Sequence, residues 1–273
     1  VAGVNAGNSI VSGGNFNTVV GDEAGAAITT GDHNVAVGKS ALASSTTSAG
    51  NTAVGSAALD ATTTGYHNVA MGYNALTSNI TGVQNVAIGV ETLMSHLTNN
   101  TTAVGHDALR LNTTGGSNTA LGYRSLASNT TGGSNTALGY QSGDNITTGS
   151  SNIIIGSGVA APSATANNQL NIGNTIYGDT SSGNVGIGIS SPDNDLSVFG
   201  SSAVADNVGG EVSIGGFYDG SSKTSYGSIA GVNQNGSGNT SGQLVFKTRP
   251  NFGSLTERLR IDSSGNVGIG TSS

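Results

Sequence analysis

The hydrophobic positions of this chain recur every seventeen residues. A short apolar or β-branched run closes on a glycine at Gly21, Gly38, Gly55, Gly72, Gly89, Gly105, Gly122, Gly139 and Gly156, in steps of 17 except for one step of 16 after Gly89. A weaker copy, QLNIG, ends 17 further on at Gly173. A fixed period of this kind governs the architecture, so it is read before any local motif.

With the glycine as position zero, −4 is Asn17, Asn34, Asn51, Asn68, Asn85, Asn118, Asn135 and Asn152, with Thr101 as the exception. Position −3 is mostly Thr or Val, −2 is Ala in seven coils, and −1 is Val, Met, Ile or Leu. Three consecutive apolar or β-branched residues predict a strand covered on both faces. Alternation puts −3 and −1 on one face and −2 on the other. The expectation is a wide core under the bulky face and a tight contact under the alanines.

A second apolar beat follows the glycine, as at Ala41-Leu42, Ala58-Leu59, Ala75-Leu76, Ala108-Leu109 and Ser125-Leu126. Then comes a polar turn, as at Thr63-Thr64-Gly65, Thr113-Thr114-Gly115 and Thr130-Thr131-Gly132. Each repeat is therefore predicted as strand, glycine turn, short second strand, polar turn. Seventeen residues are too few for a helical repeat pair and suit one turn of a β-solenoid. Ten coils rise about 48 Å at the usual strand spacing. Stacking puts the asparagines in an amide ladder. The predicted fold is all-β: a parallel β-roll over 1–178, with 1–16 as a cap or partial coil, then a small β-rich module over 179–273. In that module DLSVFG, EVSIGGFYD, SYGSIAGVN, QLVFKTR and RLRID read as a meander of strands between two NVGIG phrases. An uncovered alanine stripe would be a long apolar surface, and another copy of the chain covers it most simply. A homo-oligomer with cyclic symmetry follows, of two or three copies.

Composition narrows the field. Glycine supplies 45 of 273 residues, but with 3 prolines and no triplet register this is not collagen. Only 8% of residues are charged, which alone would fit disorder; the regular apolar beats argue otherwise. The absence of cysteine removes disulfides and thiolate metal sites. With net charge −7 and only Lys39, Arg110 and Arg124 basic before residue 173, a nucleic-acid groove is not expected. No apolar run approaches the roughly 20 residues of a membrane helix, and no signal peptide is visible. Opening at Val1 and closing at Gly270-Thr271-Ser272-Ser273, the sequence reads as part of something longer.

Candidate chemistry is sparse. Gly186-Ile187-Gly188 lacks the helix and lysine of a phosphate loop and reads as turn structure. His33 and His67 share position −5 and His106 stands at +1; they are turn histidines, or meet symmetry mates around an ion. Asp22-Glu23 is the only acidic pair of the roll, and no calcium-loop repeat exists. No catalytic set stands out among so many serines; paired carboxylates between chains would be needed for glycan cleavage. Tyr73, Tyr123 and Tyr140 share position +1 and are the candidate glycan contacts, or a structural ladder. N-x-S/T triplets at Asn79, Asn112, Asn129 and Asn145 are glycan acceptors or turn chemistry. The stacked Thr-Thr-Gly turns raise an ice-ordering surface, though adjacent turn threonines lack the outward spacing for it.

The phrases NVAVGKSAL, NTAVGSAAL, NVAMGYNAL and NTALGYRSL resemble head repeats of trimeric autotransporter adhesins of the YadA type, over roughly residues 14–173. That resemblance implies a left-handed parallel β-roll with three chains to a head. RLRIDSSGNVGIGTSS at 258–273, with its earlier copy SSGNVGIGISSP at 181–192, is similar to segments of tailed-bacteriophage fibre proteins. Together these imply a non-enzymatic, homotrimeric fibre shaft in a phage virion, with no cofactor. Its expected partners are other tail proteins and a host-cell glycan or protein receptor. The alternative is a bacterial surface adhesin head; a glycan-cleaving tailspike is a third reading.

Overall fold

The computed structural model describes residues 3–192, 195–198, 211–217, 223–233, 242–250 and 254–270. They form two units, Val1–Gly183 and Asn184–Ser273, and contain strands and turns but no helix. The first is a β-solenoid with the expected seventeen-residue coil.

Each coil contributes one three-residue strand: β1 (Thr18–Val20), β2 (Val35–Val37), β3 (Thr52–Val54), β4 (Val69–Met71), β5 (Val86–Ile88), β6 (Thr102–Val104), β7 (Thr119–Leu121), β8 (Thr136–Leu138) and β9 (Ile153–Ile155). All pair in parallel, each residue beside its counterpart in the next coil, as Ala53 beside Ala70. The 16-residue coil is absorbed without a slip, since Val86 still pairs with Thr102. β10 (Gln169–Ile172) continues the stack on β9, and an antiparallel partner, β11 (Ile176–Asp179), closes this unit's sheet. Residues before β1 form part of a further coil, with Gly7 N–H donating to Ala24 O at 2.9 Å.

The structure corrects the expected faces of the strand. The −2 alanines, Ala36 through Ala137, point into the coil and are buried. The −1 side chains point out: Met71 is 41%, Leu121 47% and Leu138 44% exposed. Lumen width is the reason. One three-residue strand faces one stack of turns, and the gap holds an alanine on one wall with Ala and Leu on the other. Ala41-Leu42, Ala58-Leu59 and Ala75-Leu76 fill it completely. A Leu or Met at −2 would overfill that space.

The second beat is not a strand. It is a run of turns with left-handed residues at +2 and +4, as Ser40 (φ 56), Leu42 (φ 53), Ala57 (φ 56) and Leu59 (φ 52). Its backbone still bonds along the axis: Ser40 N–H to Asp22 O at 2.8 Å, Leu42 N–H to Ala58 O at 3.0 Å. Such φ values are uncommon without glycine. Here the leucine gains full burial and an axial bond from its N–H to the next coil. The position-zero glycine is required for space as well as conformation. Gly122 has φ 142, and a Cβ there would lie 2.2 Å from Gly139 O in the next coil.

The expected amide ladder is present and buried. Each asparagine Oδ1 accepts the backbone N–H of its successor: Asn34 Oδ1 from Asn51 at 3.0 Å, Asn51 Oδ1 from Asn68 at 2.9 Å, Asn68 Oδ1 from Asn85 at 3.0 Å. Each Nδ2 donates to the carbonyl of the next polar turn, as Asn68 to Gly82 O at 2.9 Å and Asn135 to Gly149 O at 2.9 Å. Groups that would be orphaned in a narrow interior are thereby satisfied. Thr101 interrupts the column; its hydroxyl turns to Asn99 O at 3.3 Å.

In the second unit, β12 (Asn184–Ile187) pairs in parallel with β13 (Leu196–Val198). An antiparallel sheet follows: β14 (Glu211–Phe217), β15 (Lys223–Asn233), β16 (Gly242–Thr248), β17 (Thr256–Ile261) and β18 (Val267–Ile269), paired in chain order. The anticipated meander is therefore present, although Phe199-Gly200 and Tyr218-Asp219 lie outside the described residues. Its described buried apolar pair is Ala230 opposite Val245. Glu257 is held well below its ordinary pKa, first by the Arg260 hydrogen bonds at 2.8 and 2.6 Å.

Candidate functional site

Stacking turns each repeat position into a column on the roll, and the columns differ in chemistry. The −1 column, Val20, Val37, Val54, Met71, Ile88, Val104, Leu121, Leu138 and Ile155, is aliphatic from end to end and at least partly exposed throughout. The adjoining +1 column is mixed: Asp22, Lys39, Ser56, Tyr73, Val90, His106, Tyr123, Tyr140 and Ser157.

The +1 column brings Tyr123 and Tyr140 together but leaves Tyr73 apart. Tyr123 and Tyr140 stack with centroids 5.3 Å apart and planes 13° from parallel. His106 lies beneath Tyr123 at 5.7 Å, tilted by 33°. Tyr73 stands two coils below His106, with Val90 between, and meets no other ring among the described residues. The rings of the cluster spend their faces largely on one another, which leaves edges and the two ends of the stack for any ligand.

Charge gathers at the same coils. His106 Nδ1 lies 3.2 Å from Asp107 Oδ2. Arg110 lies 3.5 Å from Asp107 and 3.9 Å from Glu91. Arg124 stands one coil above Asp107 at the same repeat position, and its guanidinium has no hydrogen-bond or ion-pair partner among the described residues. Gln141 follows one coil higher, its amide also without a partner among the described residues. Sequence reading singled out the rings and missed Arg124 and Gln141. The repeat numbering alone could have shown them, because both stand at +2 beside the clustered +1 aromatics.

The other candidates resolve into structure. His33 stacks on Phe16 at 4.9 Å, and His67 meets Tyr66 edge-on at 5.1 Å. Neither approaches His106, and no group of three His, Cys, Asp or Glu among the described residues could hold a metal. Asn79, Asn112 and Asn129 are fully buried, so those triplets are not glycan acceptors in the folded roll. Instead Asn79 Oδ1 accepts Gly82 N–H at 2.7 Å, and Asn112 Oδ1 accepts Gly115 N–H at 3.1 Å, closing the polar turn. Asn145 is engaged at both ends by Ala161, at 2.9 Å each. The leading turn threonines are likewise occupied: Thr29, Thr46, Thr113 and Thr130 donate to the next coil's carbonyl at 3.0, 3.2, 3.0 and 3.0 Å. Those hydroxyls are not a free water-ordering row.

One buried titratable group escaped the sequence reading. His96 is fully buried in an interior column between Asn79 and Asn112. Its Nδ1 pairs with Asn112 Nδ2 at 3.0 Å, while Nε2 has no partner. Burial pushes its pKa down to about 4. The single 16-residue coil was the available sign, since His96 opens its shortened turn. No helix among the described residues is long and apolar enough to cross a membrane.

Comparison with protein families, with curated proteins and with solved structures returns no match.

Proposed function

We propose that this chain is a structural fibre protein of a bacteriophage tail. It forms a homotrimeric β-roll shaft that holds a host-receptor-binding surface away from the particle. The observation that carries the reading is the aliphatic −1 column. At about 4.8 Å per layer and about 10 Å across, nine coils present on the order of 400 Å² of continuous apolar surface. A monomer in water leaves that stripe exposed; copies wound about a common axis cover it, and cyclic symmetry lets the contact close. The phage-fibre-like phrases of the second unit and the adhesin-like repeats both favour three chains.

In this reading the chain has no catalytic role and works by display. Three copies on one rod multiply weak contacts to a cell-surface glycan or protein into avidity. The other faces of the rod meet neighbouring tail proteins, and the setting is the virion. Light scattering tests the reading. Three chains of 26.6 kDa give about 80 kDa, and a stable monomer would remove its main physical support.

A further inference from the structure

We propose that the His106–Tyr123–Tyr140 stack, with Arg124 and Gln141 beside it, is a binding site for a carboxylate-bearing sugar of a surface glycan. This deepens the receptor-display reading and rests on it for the ligand's setting, but its geometry is independent of the apolar stripe.

Two observations converge on the site. The first is the end of the aromatic stack. Tyr140 gives one face to Tyr123. On its other side the next coil offers only Ser157 and Gly158 at the equivalent positions, and a Cβ added at Gly158 would meet nothing within 4 Å. Tyr140 is 51% exposed. An open aromatic face above a floor of small residues suits the apolar C–H face of a pyranose ring.

The second is the state of the cations. Arg110 is occupied by Asp107 and Glu91. Arg124 has no such partner among the described residues, and an unpaired guanidinium is a fork built for a carboxylate. It lies in the coil directly below Tyr140 and Gln141, about 4.8 Å away by layer spacing, within reach of a ligand packed on Tyr140. The Gln141 amide adds a donor and an acceptor for sugar hydroxyls. Elsewhere on the roll, rings and cations are separated: Lys39 has Ser56 above it, and Tyr73 has Ser56 below and Val90 above. A neutral sugar offers Arg124 only hydroxyl acceptors, whereas a carboxylate takes both prongs of the fork in charge-assisted hydrogen bonds, so the site is assigned to an acidic sugar.

Isothermal titration of the whole chain with 3′-sialyllactose and with trigalacturonic acid tests the proposal, with lactose and maltotriose as uncharged counterparts. At least one acidic probe is expected to bind at least about tenfold more tightly than its counterpart. Tyr140→Ala and Arg124→Gln should each weaken that binding by about tenfold or more, with Arg124→Lys in between. Tyr73→Ala, in the same column but outside the cluster, should leave it unchanged. Equal affinity for neutral probes, no binding of either acid, or indifference to both cluster variants overturns the proposal. Light scattering on the same samples separates the two readings. A trimer that binds no acid rejects the site alone, whereas a monomer that binds supports the site and rejects the shaft.

Discussion

Asn68→Ala is expected to destabilise the roll by about 1.5–4.5 kcal/mol, and the structure says where the loss falls. Asn68 Oδ1 is the acceptor of the Asn85 N–H at 3.0 Å, and both residues are fully buried. Alanine leaves that N–H without a partner and out of reach of water, a penalty of about 1–3 kcal/mol. The Gly82 carbonyl loses its 2.9 Å donor and keeps a weaker one, Asn79 Nδ2 at 3.3 Å. That adds roughly 0.5–1.5 kcal/mol. Asn51 Oδ1 loses the Asn68 Nδ2 donor at 3.1 Å but stays satisfied, because it still accepts the Asn68 backbone N–H at 2.9 Å. The damage is thus directional, toward the C-terminal neighbour. Urea unfolding followed by circular dichroism measures the total, and amide hydrogen exchange locates it. Exchange at Asn85 should accelerate far more than at Asn51. A midpoint within about 0.5 kcal/mol of the parent, with Asn85 still protected, would show that the ladder merely accompanies the fold.

Three further outcomes follow from the same structure. Thr101→Asn should raise stability by about 1 kcal/mol in the same urea assay, because it restores an acceptor for Asn118 N–H. His96 titrates near 4 when folded against 6.5 when free, so the unfolded chain takes up the proton first; stability should be full above about pH 6.5 and fall by about 3 kcal/mol as pH drops to 4. His96→Asn, matching Asn79 and Asn112 in its column, should flatten that slope, and an unchanged slope would exonerate the histidine. On the proposed trimeric assembly, Leu121→Lys with Leu138→Lys should preserve the circular dichroism of the coil but reduce the solution mass from about 80 kDa toward 26.6 kDa; an unaltered trimer would mean that the stripe is not the contact.

Much of the roll was legible because identical residues stack. The seventeen-residue step, the Asn column and the strand position all follow from one rule, that position n sits on position n of the next coil. What the rule leaves open is direction. Alternation shows that Ala53 and Val54 face opposite ways, but not which way is in. Bulk suggested the core, and the narrow lumen reversed it. The left-handed turn after the glycine was hidden for a different reason: Ala-Leu looks like strand, and leucine rarely adopts φ near 52. Yet the column carries its own clue. Where other coils have Leu42 or Leu59, two have Gly25 and Gly143, with φ 56 and 63. A glycine exchanging with buried leucines marks a backbone that glycine prefers. The binding cluster was half legible, as rings without their cation, because attention to one column missed the column beside it.

The repeats also act as an internal comparison, and it bears on assembly. Inside the coil, cohesion is axial: amide to backbone, hydroxyl to carbonyl, alanine against leucine. The −4 asparagine and −2 alanine columns vary little, because each substitution disturbs two neighbours, although the buried column through Ser45, Thr62, Asn79 and His96 varies freely. Outside the coil nothing in a single chain imposes such a demand. The +1 column behaves accordingly, passing through Asp22, Lys39, Ser56, Tyr73 and Val90. The −1 column is comparably exposed at many coils and does not drift. Nine consecutive coils keep an aliphatic residue there, with no polar substitution. Strand propensity does not account for this, since −3 on the same face accepts threonine at Thr102, Thr119 and Thr136. A constraint confined to one outward column, and absent from its neighbours on either side, is what a shared axis would impose. The same comparison explains why chemistry collects at +1 and +2: those positions are free of both the lumen and the stripe, so one stretch of coils can carry rings and an unpaired arginine without disturbing the rod.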